Sequence, residues 1–165
     1  MTPFERNHIV IQNIDEFGIH LQGECPKNDG DPGYIYTVGM TKHGLPELIC
    51  FGLPHRLMVP YLNKTYHDLV TGAINKKLKR DDDYWTFSTY FDEVDPILMR
   101  PFAPLVFDLF DNFKTKPTFK QVVWPCKKGF YPFENQCSEE IKSRQPYFGS
   151  RKRRDADHDP SYALN

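Results

Sequence analysis

The sequence predicts an α+β domain: a mixed, mostly antiparallel sheet of about five to seven strands packed by two helices, with a disordered charged tail. Three observations carry this. Short apolar runs are separated by Pro, Gly, Asn and Asp clusters, one longer run repeats its apolar residues every three or four positions, and the last residues are almost wholly polar. At 165 residues the chain suits one domain. We place that domain at 1–149 and the tail at 150–165.

HIVIQ from His8 and GIHLQGE from Gly18 alternate apolar with polar residues, so they read as two strands of a hairpin turning at Asn13 to Asp15. CPKNDGDPG is a loop by composition. GYIYTVGM is the next strand, KHGLP a turn, and ELICFG a buried strand bounded by turn residues. After Pro54 the spacing of Leu57, Met58, Tyr61, Leu62, Leu69, Val70, Ala73 and Ile74 predicts a long helix, with Pro60 kinking it or marking where its regular part begins. Lys76, Lys77, Lys79 and Arg80 then fall near its C-terminal end, where the helix dipole favours positive charge.

DDDYWTFSTYFDEV predicts a fifth strand, with Trp85, Phe87 and Phe91 on one face and Tyr84, Thr86, Ser88 and Tyr90 on the other. PILM extends the sheet, and PLVFDLFDNF is a second helix entered through Pro101 and Pro104. FKQVVWP is the last core strand, and KKGFYPFENQ a loop. RKRRDADHDPSYALN has too little apolar surface to offset the entropy of ordering it, so a disordered or partner-ordered tail is expected.

Lys and Arg number 21 against 22 Asp and Glu, which argues against a nucleic-acid partner, and RKRR is answered at once by Asp155, Asp157 and Asp159. No run approaches the ~20 apolar residues of a membrane-spanning helix, and the first residues do not resemble a secretion signal, so no membrane partner and a cytoplasmic location are expected. The four cysteines read as reduced thiols. Cys126 and Cys137 could meet across a loop, but no closely spaced ligand pair announces a metal site; neither metal nor cofactor is expected. Neither G-x-S-x-G nor a nucleophilic cysteine neighbourhood is present.

The polar groups that could carry chemistry gather in YTVGMTKHGLPELICFGLP. Glu47 and His43 are the candidate catalytic pair, Glu47 as a desolvated acceptor or base. Tyr36, Thr37 and Gly39, with Gln121 and Trp124 from the last strand, are candidate ligand contacts, and His20 lies on a strand that could run alongside. Arg56 joins them because it and His55 open the long helix, where basic side chains are unfavourable unless an anion answers them.

GIHLQGE, YTVGM followed by HGLPELICFGLP, FKQVVWP and GFYPF, in that order, resemble the uncharacterised DUF4262 family of bacteria and some of their viruses. The resemblance runs from Gly18 to about Phe133. The family's Tyr-Thr-Val-Gly element falls on Tyr36 to Gly39, its Pro-Glu and Phe-Gly-Leu on Pro46, Glu47, Phe51, Gly52 and Leu53, and its Gln-x-x-Trp-Pro on Gln121, Trp124 and Pro125. This chain departs from the pattern at Cys126, where Asp is usual, and at Phe133, where Trp is usual. An acid at the first position is therefore missing here. The resemblance implies a phage or bacterial accessory or counter-defence setting and brings no established reaction.

Two functions fit these residues. One is a domain that binds a small anionic or nucleotide-like molecule, with its hydrolysis as an extension of the same reading. The alternative is a non-enzymatic module that binds a host or partner protein through Tyr84, Tyr90, Phe130, Tyr131 and the tail.

Overall fold

A computed structural model describes residues 1–151. Its centre is one six-stranded sheet: β1 (His20–Glu24), β2 (Tyr34–Val38), β3 (Glu47–Phe51), β4 (Arg80–Asp81), β5 (Thr89–Val94) and β6 (Phe119–Val123), in the order β1-β2-β3-β6-β5-β4. β3 and β6 run parallel, and the other four pairings are antiparallel. Five helices accompany it: α1 (Pro3–Phe17), α2 (His55–Thr71), α3 (Pro96–Met99), α4 (Pro104–Phe110) and α5 (Glu139–Arg144). The α+β class and mixed sheet stand as expected, with α2 and α4 as the two expected helices. The tail expectation falls largely on 152–165, outside the described residues.

Strand alternation divides the core between two faces. Tyr36, Val38, Ile49, Phe51, Val94 and Phe119 pack beneath α1 and α4, while Ile35, Leu48, Cys50, Phe91, Val122 and Trp124 pack beneath α2 through Met58, Tyr61, Leu62 and Leu69. Burial on both faces explains why ELICF reads as a near-continuous apolar run, and every residue of β3 and β6 is buried, Lys120 and Gln121 included.

HIVIQ is not a strand. It lies inside α1, whose start is fixed by a reciprocal Thr2–Glu5 capping box with Pro3 in the first turn, and whose end is fixed by Gly18 at φ 90°. Val10 and Ile14, four apart, are its buried residues, so the five-residue alternation was a fragment of a helical stripe. There is accordingly no hairpin before β1. PILM is α3, not a strand: Asp95 accepts the Ile97 N–H and Pro96 occupies the first turn, a helix start in two residues.

Trp85 and Phe87 precede the strand that was expected to hold them, which begins at Thr89. They still pack on the α2 face with Phe91, their rings parallel and 5.6 Å apart, while Tyr90 packs on the opposite face. α2 continues through Pro60 and ends at Thr71, where Gly72 turns left-handed and the Ile74 N–H returns to Asp68 O. Val70 and Ala73 are consequently exposed, and the basic cluster lies past the helix, with Arg80 in β4.

Candidate functional site

Residues 39 to 47 form a closed corner between β2 and β3. Gly39 leaves β2 at φ 122°, and a Cβ there would lie 3.2 Å from Gly18 O, so the position needs glycine for its angle and its packing. Met40–His43 then make one 3-10 turn, closed by Gly44 at φ 69°. Glu47 begins β3 with no exposed surface. Its Oε1 accepts the Gly39 N–H at 2.8 Å and the Thr41 N–H at 3.4 Å, while Oε2 has no hydrogen-bond partner.

Burial pushes the Glu47 carboxyl up to about 8, and the Gly39, Met40 and Thr41 amides and the Thr37 hydroxyl offset only part of that rise. At neutral pH the group is mainly a neutral acid. Thr37 Oγ1 accepts the Leu48 N–H at 2.9 Å, continuing by side chain a β2–β3 ladder whose last backbone pair is Tyr36 with Ile49. The Tyr36 hydroxyl is buried without a hydrogen-bond partner, and burial, then the Glu24 charge, raise it above the usual phenol range.

His43 turns away from this carboxyl. Its Nε2 lies 3.2 Å from the Tyr66 hydroxyl and 3.5 Å from Gly18 O, with the two rings edge to face. Among the described residues no hydrogen bond joins His43 to Glu47. His20 is held between Asn13, 2.9 Å from Nδ1, and Gln22, 3.0 Å from Nε2; because the Asn amide donates to Nδ1 and the Gln carbonyl accepts from Nε2, the proton resides on Nε2.

Gln121 and Trp124 support a different part of the chain. Gln121 donates to Pro146 O at 2.8 Å and accepts the Phe148 N–H at 3.0 Å. Trp124 donates its ring N–H to Phe51 O at 2.7 Å, and its backbone N–H and C=O pair with the Gln145 side chain at 2.9 and 2.8 Å. These contacts draw residues 144 to 148 against the C-terminal end of β3 and the start of α2.

An open groove of about 370 Å³ lies there, and Asp31, Gly33, Gly52, Pro54, His55 and Arg144 are among the residues that line it. Gly52, at φ 84°, permits the approach: a Cβ would fall 2.6 Å from Arg144 O and 2.9 Å from the Trp124 ring. The Arg144 guanidinium donates to Gly52 O at 3.0 Å and lies 5.9 Å from the Trp124 ring centre. Gly23 abuts the His55 ring, leaving no room for a side chain between them. α2 enters the groove uncapped: its N-cap is Pro54, no side chain caps it, and no acidic residue lies in its first turn. The Leu57 and Met58 N–H groups both bond Pro54 O, so the His55 and Arg56 N–H groups are the ones left without an intrahelical acceptor.

The sequence-predicted residues thus fall in two places. Glu47 and Gly52 bracket β3, roughly 17 Å apart at strand rise, so the Tyr36–Glu47 corner and the start of α2 do not share a hollow. Arg56 is exposed in the first turn of α2, beside the groove but not in its wall. The missed residues are Arg144 and Gly33, which no local pattern connects with Gly52. The exposed-aromatic reading also changes: Tyr90 and Tyr131 are 3% and 5% exposed and pack with Val123 and Phe133, because β5 and the loop after β6 close on one another.

The fold and groove define a class: a single mixed-sheet α+β domain with an uncapped helix opening on its surface. The family model described as Domain of unknown function (DUF4262) matches residues 13–138, more than half of the chain, and the chain belongs to that family. No curated protein and no solved structure matches it. Among the described residues no helix is long and apolar enough to cross a membrane.

Proposed function

We propose that the chain binds a small anionic, nucleotide-like ligand in the groove at the start of α2. The observation that carries this is the uncapped, acid-free first turn of a 17-residue helix opening beside His55 and Arg144. Free N–H groups, the helix dipole and a guanidinium favour a phosphate at that place. Asp31, in the groove lining, suits a sugar hydroxyl, which donates to a carboxylate. Glu47 and His43 belong to the corner at the other end of β3, so the reading is capture of the ligand, not its hydrolysis by that pair. The phage or bacterial accessory setting is carried with it: sequestration of a small signalling nucleotide needs only such a groove.

Calorimetric titration of the whole chain with adenosine monophosphate and with inorganic phosphate tests this. The nucleotide should bind more tightly than phosphate, and Arg144→Ala should weaken it roughly tenfold or more through loss of a charge-assisted contact. Glu47→Gln should leave the affinity unchanged. Absence of heat with both probes, or equal affinity in Arg144→Ala, His55→Ala and the parent, would remove the proposal.

A further inference from the structure

An open cavity of about 530 Å³ lies where the end of α1, the start of β1 and the second half of α2 meet. α1 contributes Asn13 and Phe17, one turn apart on the same side; β1 contributes His20; α2 contributes Asn63, Tyr66 and His67, again within one turn. Gly18 permits the junction, because a Cβ there would overlap the Tyr66 hydroxyl. His67 stands roughly 18 Å along α2 from His55 at helical rise, so this cavity is separate from the groove at the helix start. Among the described residues, no Asp, Glu, Lys or Arg lines it. Its polar groups are oriented from outside it, by Glu24. That carboxylate can only accept, so Gln22 gives it an N–H at 3.3 Å and turns its carbonyl to His20 Nε2 at 3.0 Å. His20 Nδ1 then accepts the Asn13 amide at 2.9 Å. With each direction set in turn, Asn13 keeps its Oδ1 and one N–H without a partner among the described residues, as do the side chains of Asn63 and His67. Beside them the Phe17 ring is 63% exposed.

We propose that this cavity binds an uncharged sugar of one or two rings. A charged ligand would lose water here without meeting a carboxylate, ammonium or guanidinium in the lining, whereas a neutral polyol exchanges hydrogen bonds one for one. A hydroxyl both donates and accepts, and a primary amide offers an acceptor beside its donors, so Asn13 and Asn63 each match a pair of adjacent sugar hydroxyls. The Glu24–Gln22–His20 chain holds the Asn13 amide in one orientation before the ligand arrives, which lowers the entropy lost on binding. Phe17 supplies the apolar part: the negative face of its ring attracts the polarised C–H groups on one side of a pyranose. The polar groups come from three elements around an open space, as suits hydroxyls set round a ring; the hydrogen-bonding edge of a nucleobase lies in a single plane. The volume falls within the roughly 300–1,000 Å³ of small-molecule sites.

The test is an amide NMR titration of the whole chain with maltose, cellobiose and diacetylchitobiose, each to about 10 mM, a range that captures a millimolar Kd, with adenosine as the uncharged comparison. At least one disaccharide should shift amides within 13–21 and 63–67. Phe17→Ala should weaken that sugar roughly tenfold, and Asn63→Ala several-fold, through loss of the ring face and of the amide. Both residues are exposed, so both variants should melt with the parent. Arg144→Ala should bind the sugar as the parent does, which separates a failure here from a failure of the anion groove. The assignment is overturned by unshifted amides with all three disaccharides, by shifts with adenosine and none of the sugars, or by parental affinity in both Phe17→Ala and Asn63→Ala.

Discussion

Glu47 shows what a single buried carboxyl does to this domain. In the folded chain its acid form persists up to about pH 8, whereas an unfolded glutamate releases its proton near 4.5. Between those values the folded state holds more protons than the unfolded state, so stability falls as pH rises through the window. The contribution is fully retained below about pH 4.5, and the loss is complete above about 8, amounting to a few kcal/mol on the usual scale of pKa shifts. Glu47→Gln keeps a neutral acceptor for the Gly39 and Thr41 amides and removes the titration. Urea unfolding at pH 5, 7 and 9 should therefore show a falling stability in the parent and a flatter profile in the variant, with the variant the more stable of the two at pH 9. Parallel profiles would mean that Glu47 does not titrate in this window. The sequence marked Glu47 as a desolvated carboxyl because it opens an apolar run; that His43 faces Tyr66 instead was not legible, since their spacing of four residues is spent in a 3-10 turn.

At the scale of elements, the sequence revealed those whose burial pattern is regular over their whole length and misled where a short piece of one period mimics another. β2, β3, β6 and α2 were visible because apolar residues fill them or recur at helical spacing. α1 was not, since HIVIQ alternates over five residues, although the T-P-x-E start of its capping box was a readable signal. β4 is only two residues, and α5 only six, so neither leaves a periodic trace. Gln145 illustrates the part that was beyond reach. β6 ends at Val123, and the next residue's N–H and C=O would be orphaned in the core had the Gln145 amide, 21 residues later, not supplied both partners. Gln145→Ala leaves those two buried groups unpaired and should cost about 2–4 kcal/mol. In urea this appears as a lower midpoint at unchanged slope; a change below about 0.5 kcal/mol, within the range of ordinary surface substitutions, would show that the amide is not needed.

Over the whole molecule, the segment from Gln145 to Arg151 does for the sheet what a further strand would do, without being one. Gln145 completes β6 at Trp124, Gln121 holds Pro146 and Phe148, and the Phe148 ring packs on Phe51 of β3 and on Phe102 between α3 and α4. Tyr147 donates to Asp92 of β5 at 2.7 Å, and Arg151 reaches the same carboxylate at 2.8 Å while its guanidinium lies 4.2 Å from the Tyr90 ring centre. The folded body therefore includes Arg151, where the sequence alone showed only the beginning of a charged run. Asp92, 7% exposed, and Gln121, fully buried, are compatible with a sheet interior only while this segment is seated, because an unpaired buried polar group costs about 1–3 kcal/mol and a charge more. Two chains, one ending at Arg151 and one at Arg144, isolate the effect. The shorter strips partners from Asp92, Gln121 and Trp124 together, a loss comparable with the ~5–15 kcal/mol that holds a domain folded, and it should lack a cooperative thermal transition by circular dichroism. A third chain ending at Phe148 keeps the Gln145 and Gln121 contacts but gives up the Arg151 partner of Asp92, so its melting temperature should fall between the other two. Equal, cooperative melting of the Arg144-terminated and Arg151-terminated chains would show that the sheet closes without the segment.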